Sequence, residues 1–262
     1  MPMTSTGRII VRPALFIPCL VDAFAPEVGQ AVFAVLRRLG IDPVYPEKQT
    51  CCGQPAFNSG YRKEARTAAR HFIEVFEPYG PIVCPSGSCV AMVRHHYAPL
   101  FDRDRKWGPR AAQTAARTFE FTEYLVDVLG VEDVGAGFSG RITYHDSCHL
   151  LHTLGIADQP RRLLANVAGA EFVEMPDSDH CCGFGGSFSV KYPDISAALL
   201  EDKVKNILAS GADTVVGCDM GCLMNIEGML HRKHLPVRVM HIAQVLAGQK
   251  ASVEKKPEKQ HL

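Results

Sequence analysis

Ten cysteines dominate the chemistry available to this 262-residue chain. They fall into two sets of five. The first set is Cys19, the pair Cys51-Cys52 followed by Gly53, then Cys84 and Cys89. The second is Cys148, the pair Cys181-Cys182 followed by Gly183, then Cys218 and Cys222. The step from the lone cysteine to the pair is 32 residues in one set (51 − 19) and 33 in the other (181 − 148). Thiolates are soft ligands that suit iron–sulfur clusters, zinc or copper(I). All ten are therefore candidate metal ligands. A structural zinc or an ordinary iron–sulfur cubane needs about four of them at one site. Cys84 and Cys218 fit equally as ligands or as small core residues, because free cysteine is among the most buried residue types.

The residues around the pairs strengthen the metal reading. Gly53, Gly183, Gly185 and Gly186 permit left-handed backbone and close approach, so they are candidate cofactor-binding positions. Amides in such turns form concavities that bind anions, here cluster sulfides. Ser59, Ser187 and Ser189 offer further donors. His145, His149 and His180 flank candidate ligands, where they could bond a thiolate, ligate metal or move a proton. An ordinary loop or strand-end histidine is the simpler account of each. No Gly-x-Gly-x-x-Gly follows a strand, so a nicotinamide or flavin has no support, and no catalytic residue is assigned.

Elements that could position these thiols recur in each half. Apolar runs at 14–17, 42–45 and 81–84 read as strands, and 24–39, 61–76 and 88–97 read as helices. The second half gives strands at 141–145, 171–175, 214–217 and 237–241, with helices at 161–167, 193–209 and 223–231. Alternating β and α elements imply small parallel sheets flanked by helices, the α/β class. In such folds ligands collect beyond the C-terminal ends of strands, where these cysteines fall. The expected halves are residues 12–135 and 140–247. They are joined through a charged stretch (102–110), a helix near 121–129 and a glycine-rich run, and a solvated tail follows from 248. Trp107 in the joining segment reads as a packing anchor rather than a docking mark.

Composition excludes several classes. Apolar residues make up 47% and charged residues 21%, the balance of a globular protein with its own core. Twenty-eight basic residues match 28 acidic ones, so no global field draws the chain to nucleic acid or an anionic membrane. A disulfide framework is not expected, since the chain is large and two cysteine pairs are immediate neighbours. A signal peptide is not expected either. The apolar run 9–21 is broken by Arg12 and Pro13, and cleavage after Ala25 would remove Cys19. No run is long enough for a membrane span. The expected setting is a reducing cytoplasm.

The pattern resembles the cysteine-rich CCG domain, which occurs twice within one chain of heterodisulfide reductase and also in iron–sulfur subunits of glycolate oxidase and anaerobic glycerol-3-phosphate dehydrogenase. The stretches CCGQPAFNSGY (51–61), CPSGSC (84–89), HDSCHLLHTLG (145–155), CCGFGGSFSVKYPDIS (181–196) and GCDMGCLMNIEG (217–228) are similar to the lactate utilization protein A family. The resemblance covers about residues 12–247. It implies two pseudo-symmetric CCG halves, each a candidate holder of a [4Fe-4S] cluster, one or two per chain. Cys19, Cys51, Cys52 and Cys89 would hold one, and Cys148, Cys181, Cys182 and Cys222 the other. The relatives close each set with Cys-x-x-Cys, whereas here Ser86 and Asp219 stand at the fifth-ligand positions. Cubane and non-cubane clusters therefore both remain compatible. The resemblance implies an electron-transfer subunit acting with two others in oxidation of L-lactate to pyruvate. The alternatives are a thiol–disulfide or glycolate-type redox subunit, and a structural zinc module.

Overall fold

The computed structural model of the protein describes residues 12–248. It contains two parallel sheets with helices packed around them. The first has strand order β1 (Ala14–Leu15), β2 (Ile82–Cys84), β3 (Thr118–Glu120). The second contains β4 (Gly137–Tyr144), β5 (Ala168–Phe172), β6 (Thr214–Gly217) and β7 (Arg238–His241), in the order β5-β4-β6-β7. Val44 makes one parallel bridge to Ala14 on the outer side of β1. The two sheets thus share one order, with Val44 in the place of β5. The expected strand at 42–45 shrinks to that bridge because Pro43 and Pro46 remove amide donors on either side.

Strand register gives the correspondence between halves. Leu15 pairs with Val83 and Tyr144 with Val216. Cys84 pairs with Glu120 and Gly217 with His241. On this frame Cys19 matches Cys148 and Cys89 matches Cys222. Cys84, however, matches Gly217, and Cys218 matches Pro85, so these two cysteines are offset by one residue and are not equivalents.

The helices follow their apolar faces. Pro26–Arg38 buries Val28, Ala31, Val32, Val35 and Leu36, a spacing that makes one stripe, and Pro26 opens its first turn. Gly40 (φ 77°) ends it in left-handed backbone. The expected helix 24–39 is therefore split at Ala25, with a separate short helix at Cys19–Phe24. Pro193–Ala209 and Thr214–Gly217 lie where their sequence pattern places them. The expected strand 171–175 begins earlier, at Ala168. Helix 223–231 is longer, at Met220–Arg232. Gly87–Ala91 continues through wider π turns at Met92–His96 to Leu100.

The segment joining the halves is part of the first one. It supplies helix Trp107–Ala116 and strand β3. Thr118 and Glu120 are wholly buried although polar, so β3 has no apolar pattern to announce it. Trp107 is a packing anchor, buried against Phe101 and covered by Arg110 4.2 Å from its ring. One buried cluster draws on both halves, joining Leu15, Val32 and Leu125 to Ile142, Leu163 and Val245. Of the expected tail, residues 249–262 lie outside the described residues.

Glu120 and His241 end corresponding strands and both cap the following helix with their side chains. Ala243 N–H donates to His241 Nδ1 (3.1 Å), so the ring proton sits on Nε2. From there it is directed at the carbonyls of Cys218 (2.9 Å) and Pro85 (3.2 Å), one from each half. Burial lowers the His241 pKa to about 4. A histidine held neutral in the native state stabilises above its unfolded pKa of about 6.5 and loses that contribution as pH falls towards 4. His241→Gln keeps a donor and an acceptor but does not titrate. Urea unfolding between pH 7 and 4 should show a flatter profile for the variant, by about 3 kcal/mol. Parallel profiles would contradict this.

Candidate functional site

The turns after the strands converge on one cavity of about 270 Å³. Cys19, Cys51, Cys52 and Cys89 line it from the first half, and Cys148, Cys181, Cys182 and Cys222 from the second. The structure thus brings eight of the ten cysteines together. Cys84 and Cys218 lie outside the lining, fully buried at 0% exposure. Burial raises the pKa of both thiols.

The Cys-Cys-Gly turns work alike in both halves. Gly53 (φ 85°) and Gly183 (φ 77°) adopt left-handed backbone, which L side chains rarely do. This directs the Gly53 amide at Cys51 Sγ (3.4 Å) and the Gly183 amide at Cys181 Sγ (3.3 Å). Sulfurs then crowd. Cys19 Sγ lies 3.6 Å from Cys51 Sγ, and Cys52 Sγ 3.5 Å from Cys89 Sγ. Donation from Cys19 and then Cys52 lowers the Cys51 pKa to about 3. Donation from Cys52 and then Cys84 lowers Cys89 to about 5. The Cys19 thiol moves the other way, because it supplies the proton. In the first half, thiols arranged to stabilise neighbouring thiolates are prepared for a cation, whereas in the second half the Cys148, Cys181, Cys182 and Cys222 thiols are all held above the ordinary thiol range.

Gly183 is sterically confined as well as left-handed. A Cβ there would lie 2.4 Å from the Ser196 carbonyl oxygen, whose residue also donates Oγ–H to Gly183 O at 2.8 Å. Gly183→Ala should cost about 3 kcal/mol or more. Gly40→Ala, also left-handed but with open space, should cost about 1 kcal/mol. Thermal unfolding of both variants checks this, and equal losses would refute the packing argument. Gly185 and Gly186 line the cavity with φ of 52° and 63°.

Asp219 is the residue that sequence reasoning undervalued, noting only that it stands at a fifth-ligand position. It is 5% exposed, lines the cavity and joins the halves. Its carboxylate accepts from Ser86 Oγ (2.7 Å), Ser88 Oγ (2.7 Å), Ser88 N (3.1 Å) and Ser147 Oγ (2.7 Å). Ser86 and Asp219 occupy corresponding places, each preceding a helix that carries the last thiol of its set. The only hint in the sequence is its position inside GCDMGC. Ser59 and Ser187 also line the cavity, whereas Ser189 bonds to the Gly186 carbonyl (3.0 Å).

The three histidines separate. His149 lines the cavity, with Nδ1 3.6 Å from Cys148 Sγ and Nε2 3.5 Å from the Gln54 amide nitrogen. His145 is 1% exposed, and among the described residues neither ring nitrogen has a hydrogen-bond partner. Its nearest ring nitrogen and the sulfurs of Cys182 and Cys222 lie within 4.8 Å of one another. Burial pulls its pKa down to about 3. His180 is half-buried, also with an unpartnered Nε2 among the described residues.

A duplicated set of thiols around one cavity, in two matching α/β halves, defines a tandem cysteine-rich protein with a metal or iron–sulfur type of site. The family model of the cysteine-rich domain, CCG, matches twice, at residues 13–94 and 142–227. The chain is 52% identical over 235 residues to lactate utilization protein A of Exiguobacterium sp., covering 89% of this chain and 96% of that one. It is 49% identical over 236 residues to lactate utilization protein A of Geobacillus kaustophilus, covering 90% and 98%. The chain belongs to the lactate utilization protein A family. A hypothetical protein from Helicobacter pylori shares the fold at a TM-score of 0.57 and 10% identity, over 94% of this chain and 50% of that one. Among the described residues no helix is long and apolar enough to cross a membrane.

Proposed function

We propose that this chain is an electron carrier with two [4Fe-4S] clusters, acting with two other subunits in oxidation of L-lactate to pyruvate in the cytoplasm. The observation that supports this most is the pairing of thiols with saturated fifth positions. Each half (12–135 and 140–247) offers four cysteines to the cavity. The two places where a fifth ligand would stand are occupied by Ser86 and Asp219, which are bonded to each other at 2.7 Å. Four thiols per half suit a four-thiolate cluster. Cys19, Cys51, Cys52 and Cys89 hold the first, and Cys148, Cys181, Cys182 and Cys222 the second.

A bound [4Fe-4S] cluster supplies one-electron redox chemistry. Two sites accordingly match the two electrons released when lactate becomes pyruvate. The chain's own residues fix the surroundings. The Gly53 and Gly183 amides donate to cysteine sulfur, and such bonds are among the determinants of cluster potential. Gly185 and Gly186 let the second loop close over the cavity, and Asp219 holds the two ligand-bearing helices in register.

The test is lactate-dependent reduction of an artificial acceptor by the reconstituted three-subunit complex, with and without this chain. Loss of turnover on omission, restored by adding the loaded chain back, is the expected result. Full turnover without the chain would overturn the proposal.

A further inference from the structure

The two halves match in fold and thiols but differ directly beneath the thiols. Register places Phe16 opposite its counterpart His145, each three residues before the lone cysteine of its set. A second correspondence comes from the Cys-Cys-Gly turns. The space for a Cβ at Gly53 faces the Ala65 backbone, and at Gly183 it faces the Ser196 backbone. Two turns further along these helices stand Phe72 and Lys203. In the first half Phe16 and Phe72 pack edge to face, 4.8 Å between centroids. In the second half the same two places hold His145 and Lys203.

Lys203 has 0% exposure. Its ammonium donates to the carbonyls of Asp177 (3.0 Å) and Ser178 (3.0 Å) and lies 3.9 Å from Met175 Sδ. Burial brings its pKa down to about 8, which leaves it mainly charged at neutral pH, and Cys182 and Cys222 are close enough to favour that charge. Nearby Asp146 is already engaged by Arg161 at 2.7 and 3.0 Å. Asp219 bears on thiols of both halves, so its charge does not distinguish them. Asp179 also bears on Lys203 but is exposed, so solvent screens it. What distinguishes the halves is one buried cation, whose field reaches the buried His145 imidazole, set against two phenyl rings.

We infer that Lys203 makes the second half the electron sink of the pair, so that electrons pass from the first-half site to the second. This rests on the two-cluster reading above. Each transfer moves one electron, oxidising the first site as it reduces the second, and the electrons originate in the 2-hydroxy acid. A site that becomes more negative on reduction is favoured by a fixed positive charge in a low-dielectric interior. The aromatic pair of the first half gives no such help. Lys203 is a tuning residue, not a ligand.

The experiment is an anaerobic redox titration of the full-length loaded chain, followed by EPR, for wild type, Lys203→Met, Lys203→Arg, Cys181→Ser and Cys51→Ser. Two midpoint potentials are expected in the wild type. Lys203→Met should lower the higher one and leave the other in place, while Lys203→Arg should keep both. Cys181→Ser should retain only the lower potential and Cys51→Ser only the higher. The inference is overturned if the higher potential survives in Cys181→Ser, or if Lys203→Met folds and leaves it unmoved. Should Lys203→Met not fold, the two cysteine variants decide which half is the sink. Absence of two loaded clusters in the wild type would instead contradict the proposed function.

Discussion

Cys182→Ser is expected to remove one cluster, about four irons, and to lower lactate-dependent electron transfer by more than about 100-fold. Loss of a contact that merely supports a metal ligand typically costs 10–100-fold, and the loss of a ligand should exceed it. Cys182 is suited to the test because it is central to its set. It is 4% exposed, its carbonyl is held by Asn225 Nδ2 at 2.9 Å, and its sulfur neighbours both His145 and Cys222. Serine changes little in volume, so the fold should persist while the soft donor disappears. Iron analysis and acceptor reduction read the two effects separately. Cys218→Ser is the matched comparison, since Cys218 lies in the core outside the cavity. Equal iron loss in both variants would show that the cavity lining does not define the ligand set.

Asp219→Ala is expected to carry the largest stability cost of the polar substitutions. It removes the acceptor of three hydroxyls and one amide, three of these four donors coming from the opposite half, and leaves the Ser86 and Ser88 hydroxyls only each other at 3.2 Å. Leaving buried donors unsatisfied costs about 1–3 kcal/mol each, and entry of water reduces the sum, so the net loss should be about 3 kcal/mol or more. Asp219→Asn retains one acceptor oxygen and should lose less. Urea unfolding distinguishes them. Iron content should fall in the alanine variant as well, because the helices bearing Cys89 and Cys222 lose the bond that registers them. An alanine variant within about 1 kcal/mol of wild type would mean that Asp219 does not couple the halves.

Much of this site was legible because its chemistry is carried by residue type. Ten cysteines in two spaced sets, each with a Cys-Cys-Gly turn, announce a duplicated arrangement of thiols before the fold is known, and eight of them line one cavity. The βα rhythm was legible for the same reason that Pro193–Ala209 and Thr214–Gly217 form where expected: their apolar periodicity is clean. What was hidden depended on register or on buried polarity. Strand β3 was hidden because Thr118 and Glu120 face the interior. Matching cysteine to cysteine paired Cys84 with Cys218, whereas hydrogen-bonded strands pair Cys84 with the place of Gly217. The exchange of Phe16 and Phe72 for His145 and Lys203 needs that register to be seen at all. Asp219 looked like a missing ligand, and its role became visible only when four donors were found around it.

In the proposed function each half of this chain holds one iron–sulfur cluster at a shared cavity. Anaerobic purification with iron and acid-labile sulfide analysis, and EPR after reduction, tests it most directly. The expected result is a brown protein with about eight irons and eight sulfides per chain. Magnetic coupling between two reduced centres is expected as well, with about half that iron and no coupling in Cys182→Ser. A colourless protein that carries zinc, and takes up no iron on anaerobic reconstitution with iron and sulfide, would contradict it.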